Sequence, residues 1–159
     1  MATIKKKFIG DKQFGGFTPY GNVTTIRATL QTNATGAAIH SDSAAAIGVA
    51  DVVVLEKLPE GFLLEDAQVI VSTTMTASST GSLGFIYADG VDSTDVPQDA
   101  TYFGASLNAA AAGRIRIAGT KAPVRLAKEA YLVWTQAGAA NAKASRLDVI
   151  VHGERMGPN

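Results

Sequence analysis

No cysteine occurs in the sequence, which excludes a disulfide framework, a thiolate-ligated zinc site and a thiol nucleophile. Aromatic side chains are sparse, with 6 Phe, 4 Tyr and 1 Trp in 159 residues, and there are only 2 His. Excess charge of either sign is missing too. Fourteen Lys and Arg stand against 14 Asp and Glu, which removes the whole-chain argument for binding nucleic acid or an anionic membrane. The opening Met1-Ala-Thr-Ile-Lys-Lys-Lys lacks the apolar stretch of a secretory signal, so synthesis in the cytoplasm is expected and the sequons at Asn22 and Asn33 read as accidental. The uncharged run Ala28 to Ser41 is too rich in Thr, Asn and Gly to serve as a membrane span.

What the chain does have is small residues and β-branched ones. Hydrophobic residues make up 47% and charged residues 18%, enough apolar material for one globular domain of this length. The 27 Ala, 16 Gly and 15 Thr supply about a third of the chain, and Gly and Thr favour short strands and tight turns over long helices. Alternating apolar runs recur at Val23 to Leu30, Gly48 to Leu58, Ala67 to Met75, Leu83 to Tyr87, Arg114 to Ala118, Val124 to Leu126, Glu129 to Gln136 and Leu147 to His152. Turn signals such as Pro59-Glu-Gly61 and Asp89-Gly90 separate them. This pattern predicts an all-β antiparallel sandwich of about eight strands over residues 23 to 159. Helix is expected only in short pieces, Ser43 to Ala46 and Tyr102 to Ala111.

Residues 1 to 22 read as a separate extended arm. Lys5, Lys6, Lys7 and Lys12 against Asp11 give this stretch a charge of +3, leaving −3 for the rest. It also carries Phe8, Phe14, Phe17 and Tyr20 among five residues of Gly and Pro, so it has groups to bury but no periodicity with which to fold alone. Such a stretch reads as either a frayed terminus or an arm that orders against a partner.

Catalytic constellations are missing. His40 sits in a Ser/Asp/Ala loop and His152 near a strand end, and neither has a nucleophile or second ligand at motif spacing. Gly113 to Lys121 has the wrong glycine spacing for a P-loop, with Thr and Lys reversed. Asp89, Asp92, Asp95 and Asp99 gather four carboxylates in eleven residues, a set that can bind a hard cation or simply build turns; the turn reading is preferred because EF-hand spacing is absent. Arg114 and Arg116 alternate with Ile as on a solvent face. No enzymatic activity, cofactor or metal is expected, and nucleic acid is not the expected partner.

The order Leu58-Pro-Glu-Gly61-Phe-Leu-Leu, Ala67-Gln-Val-Ile-Val-Ser-Thr-Thr-Met75, Leu83-Gly-Phe, Ala88-Asp-Gly, Ala111-Ala-Gly-Arg114, Ala130-Tyr-Leu-Val-Trp-Thr-Gln-Ala-Gly138 and Val149-Ile-Val-His-Gly-Glu154 resembles the small jelly-roll decoration, or cement, proteins of tailed-phage capsids. The likeness spans about residues 46 to 154. It implies a jelly-roll-like sandwich, no enzymatic activity, and a homo-oligomer on the outer surface of the virion, bound to the major capsid protein. A dimer is expected, with a trimer as the alternative. The arm residues Lys5, Lys6, Lys7, Phe8, Phe14, Phe17 and Tyr20 are then the expected capsid contacts. A carbohydrate- or ligand-binding sandwich, such as a phage fibre or head-fibre module, is the competing reading, with Tyr87, Asp89, Asp92 and Tyr102 as its candidate residues.

Overall fold

The computed structural model describes residues 1–6, 23–117 and 119–157. They form ten strands and, among the described residues, no helix: β1 Thr3–Lys5, β2 Val23–Thr32, β3 Val52–Leu58, β4 Phe62–Thr73, β5 Thr80–Tyr87, β6 Asp99–Asn108, β7 Gly113–Arg116, β8 Val124–Arg125, β9 Ala130–Ala137 and β10 Ser145–Arg155. One sheet runs β1-β3-β9-β5-β6 and the other β2-β10-β4-β7, with β8 continuing β7's place along β4. Leaving β1 and β8 aside, β2-β10-β4-β7 facing β3-β9-β5-β6 is the strand order of a jelly roll. All pairings are antiparallel except β1 with β3.

Alternation along each strand sends one set of side chains between the sheets. From β2 these are Ile26, Ala28 and Leu30, from β10 Leu147, Val149 and Val151, and from β9 Leu132 and Trp134, all buried. Burial of each large side chain stabilises the fold by about 1.5–3 kcal/mol, so a sandwich without disulfides can stand on this core. In β4 the alternation breaks where Glu65 and Asp66 are both exposed, and the pairing with β10 shifts between His152 and Gly153. This bulge lets Phe62 and Leu64 before it, and Ala67, Val69 and Val71 after it, all face inward. A second shift between Val54 and Glu56 does the same in β3.

Two expected helices are strands or loop instead. Tyr102 to Asn108 belongs to β6, because Tyr102 and Phe103 turn into the core beside Phe85 and the backbone pairs with β5. Ala109 is held by its amide donating to Ser79 O and its carbonyl accepting from Met75 N, so local alanine propensity loses to tertiary pairing. Ser43 to Ala46 is loop, crossed by a bridge from Ala37 to Ala46. Gly81 lies inside β5, where the Trp134 ring leaves no room for a Cβ.

One end of the sandwich is organised by a buried amide. Asn141 donates from Nδ2 to Thr32 Oγ1 at 3.0 Å and to Lys143 O at 2.9 Å, and its Oδ1 accepts from Thr76 N at 3.2 Å. Gly36, at φ 85°, packs directly on the Asn141 backbone. Ile47 N donates to Gly36 O and Asn141 N to Ile47 O. The long connection from Asn33 to Asp51 is therefore fixed against the β9–β10 turn.

Candidate partner-binding surfaces

Of the seven arm residues singled out above, Lys7, Phe8, Phe14, Phe17 and Tyr20 lie outside the described residues. Lys5 and Lys6 are within them, and they show how the arm starts. Ile4 is 1% exposed and sits in the core opposite Val53. Ala2 N donates to Asp51 Oδ1 at 2.7 Å, and Val52 N donates to Ala2 O. Lys5 and Asp42 exchange two bonds, Lys5 N to Asp42 Oδ1 and Asp42 N to Lys5 O, both 2.9 Å. Lys6 bridges to Ser41. Lys5 Nζ stands 5.7 Å from the centre of the Tyr131 ring, within range of a cation–π contact. The first six residues are thus fastened to the fixed Asn33 to Asp51 connection.

Asp89, Asp92 and Asp99 spend their carboxylates internally. Asp89 pairs with Lys128 at 2.7 Å, which with the Val91 amide holds its carboxyl below the ordinary range. Asp92 Oδ1 accepts from Ser93 N and Gln98 N at 2.8 and 2.7 Å. Asp99 is paired with Lys121 and Thr101; burial pushes its carboxyl up, but these donors outweigh it and the net direction is down. Among the described residues no three His, Asp or Glu side chains converge on a cation position.

Tyr87 and Tyr102 face inward. Tyr87 is 2% and Tyr102 8% exposed, each stacked edge-on against Phe85. Tyr87 OH donates to Val96 O at 2.6 Å, and Tyr102 OH lies 3.1 Å from Leu64 O. Burial raises both phenols above their ordinary pKa. Neither ring offers a face to a sugar. Gly113 to Arg116 is strand, so no helix follows the P-loop-like glycines.

The outward faces of the two sheets differ. On the β2-β10-β4-β7 sheet one row reads Arg27, Ile150, Gln68, Arg116 and the next Thr29, Asp148, Ile70, Arg114. Arg146 stands one step further along β10. Thr29 Oγ1 donates to Asp148 Oδ1 at 2.7 Å, Arg146 pairs with Asp148 at 3.1 Å and Arg114 donates to Gln68 Oε1 at 2.6 Å. His152 Nδ1 lies 3.2 Å from Thr25 Oγ1 in the adjoining row. On the β1-β3-β9-β5-β6 sheet the corresponding rows are Val54, Val133, Gly84 and Val52, Thr135, Ser82. Sequence reading reached Arg114 and Arg116 but missed Arg27 and Arg146. The signal was present: Ile26, Ala28 and Leu30 inward forces Arg27 outward, onto the same side as Arg116.

This architecture, an antiparallel jelly roll, is shared with chains of bacteriophage capsids. A chain of the capsid of Ralstonia phage GP4 superposes with a TM-score of 0.66 at 15% identity, covering 98% of this chain and 99% of that one. A chain of the cyanophage Pam1 capsid asymmetric unit gives 0.57 at 14% identity, over 90% of this chain and 92% of that one. No family model and no curated protein sequence matches. At such identities the likeness is one of fold.

Proposed function

We propose that this chain is a structural virion protein, a capsid decoration or cement protein that binds the outer surface of the assembled major-capsid lattice of a tailed phage. The observation that carries this reading is mutual coverage. Nearly the whole chain matches nearly the whole of a phage capsid chain, so the resemblance takes in the unit and not one borrowed sheet. A protein that binds the assembled lattice but not its dissociated subunits stabilises the assembly by mass action. Repetition over the shell makes modest single contacts sufficient. The fold suits such a role, because its sandwich is rigid and its first residues are fastened through Ile4 and Asp42, so that the arm reaches a neighbour from a firm base.

In this reading the arm, residues 1 to 22, contacts the major capsid protein through Lys5, Lys6, Lys7, Phe8, Phe14, Phe17 and Tyr20, with the domain of residues 23 to 159 as its base. The chain has no catalytic role. It works as a homo-oligomer, most simply a dimer. Support for self-association is that no described strand pairs with β2 on the side away from β10 over Val23 to Leu30, only Gln31 and Thr32 being met there by Ile39 and Ala38.

The test is to add the purified protein to undecorated shells of the cognate major capsid protein and image them by electron microscopy. Extra density on the outside and a raised shell melting temperature are expected; bare shells with unchanged melting would sink the reading. Because Ile4 lies in the core, truncation would damage the sandwich, so the arm is tested by substitution. Exchanging Lys7 for Glu and the four aromatics for Ala, beyond the fastened first six residues, should weaken binding without lowering the protein's own melting temperature, and undiminished affinity would remove that part of the arm from the contact.

A further inference from the structure

We infer that the outward face of the β2-β10-β4-β7 sheet is a second docking surface, which seats on a carboxylate-bearing protein surface of the shell through Arg27 and Arg116. The inference rests on the decoration reading above and names the chemistry of the contact. Arg27, Arg114, Arg116 and Arg146 are all exposed on this one face, in a body whose net charge from residue 23 onward is −3. Among the described residues the side chains of Arg27 and Arg116 have no ion-pair or hydrogen-bond partner. They share one row across the sheet, about 14 Å apart at three strand spacings. Two uncommitted planar guanidiniums on a stiff sheet are suited to bidentate recognition of carboxylates. Half-buried Ile150 between them, and Ile70 in the next row, add apolar contact.

The distribution of acids on the same face selects protein over nucleic acid. Asp148 stands in the row beside Arg27, and Asp66 follows in the row of His152. A nucleic acid presents negative charge without interruption and would meet those carboxylates as well as the arginines. A protein surface can place acids opposite Arg27 and Arg116 while leaving the positions opposite Asp148 and Asp66 uncharged.

Size sets how the face can work. From Arg146 to His152 the face is about 20 Å long and about 14 Å wide, on the order of 300 Å², well below the roughly 800 Å² per partner of a stable two-body interface. A single contact through it is weak and salt-sensitive. It becomes effective when the same contact repeats over a lattice.

The experiment compares the full-length protein with R27Q/R116Q and with K57Q/K128Q, which removes the same charge from the region of the opposite sheet, on undecorated shells over a salt series. R27Q/R116Q is expected to melt like wild type, to bind shells about tenfold more weakly at moderate salt, and to show a shallower salt dependence; K57Q/K128Q is expected to bind like wild type. If wild type binds and R27Q/R116Q binds equally well, the face is not the docking surface while the decoration reading stands. If K57Q/K128Q loses as much as R27Q/R116Q, net charge and not this face is responsible, which also overturns the inference. If wild type does not bind shells at all, the decoration reading itself fails and the inference goes with it. Binding of wild type to a duplex of about 30 base pairs more tightly than to shells would replace the protein partner by nucleic acid.

Discussion

In the middle of one sheet, Val54 and Val133 lie side by side on the surface turned away from the inter-sheet core, and both are 0% exposed. At the equivalent place in the other sheet, half-buried Ile150 lies between Arg27 and Gln68, with Asp148 in the next row. Both positions belong to central strands with the same inward alternation, yet one outward face is apolar and covered and the other is charged and open. The backbone of Asp99 to Thr101 contributes to the covering, passing so close over Gly84 that no Cβ would fit. Lys5 reaches over Tyr131 nearby. The lesson is that the centre of one sheet is buried on both of its faces, whereas the other has an inner and an open outer face, the surface proposed above to meet a partner.

The sharpest way to break this comparison is to place the same charge at both centres. Val133→Asp puts a carboxylate where there is no exposure, and is expected to cost about 4 kcal/mol or more, enough to abolish or nearly abolish folding. Ile150→Asp, beside Arg27, is expected to cost under about 1.5 kcal/mol. Denaturant unfolding of the two variants checks this, and similar losses would mean that the two faces are equivalent. A gentler pair sharpens it. Gly84→Ala must push the β6 backbone away and is expected to cost about 1–3 kcal/mol, against under about 0.5 kcal/mol for Gln68→Ala on the charged sheet.

How much of this could be read in the sequence depends on the element. β2, β3, β9 and β10 were legible because β-branched alternation and turn residues agree there. β6 was not, since Ala109 to Ala112 speaks for helix and only the pairing with β5, and the room for Tyr102 and Phe103 beside Phe85, decide for strand. β1 is three residues long and exists only because β3 offers it an edge. For the surfaces, the carboxylates of Asp89, Asp92 and Asp99 accept nearby backbone N–H groups as turn residues do, but Tyr87 and Tyr102 gave no local sign that their rings point inward. The arginine face escaped because its members lie on β2, β7 and β10, up to 119 positions apart between Arg27 and Arg146, and only strand order places them together.

The smallest expected effect concerns the one acid held among those arginines. Hydrogen bonding from Arg146, with a further bond from Thr29, holds the Asp148 carboxyl below the ordinary 3.8. A carboxylate depressed in the folded state binds its proton later than in the unfolded chain. Its contribution to stability is therefore complete above the ordinary value and is lost as the pH falls through the folded one. Asp148→Asn should lower the melting temperature at about pH 7 by only about a degree or two, because the pair is largely solvated. The gap to wild type should close as the pH drops from about 4 towards about 2. Melting curves across that range check the sign, and a gap that widened on acidification would contradict it. Shell binding should move the opposite way at neutral pH. Removing a negative charge from between Arg27 and Arg114 leaves the face more positive, so Asp148→Asn should bind undecorated shells at least as tightly as wild type while being slightly less stable. If it bound more weakly, Asp148 would be a contact in its own right, and the charged face would be reading cations on its partner as well as carboxylates.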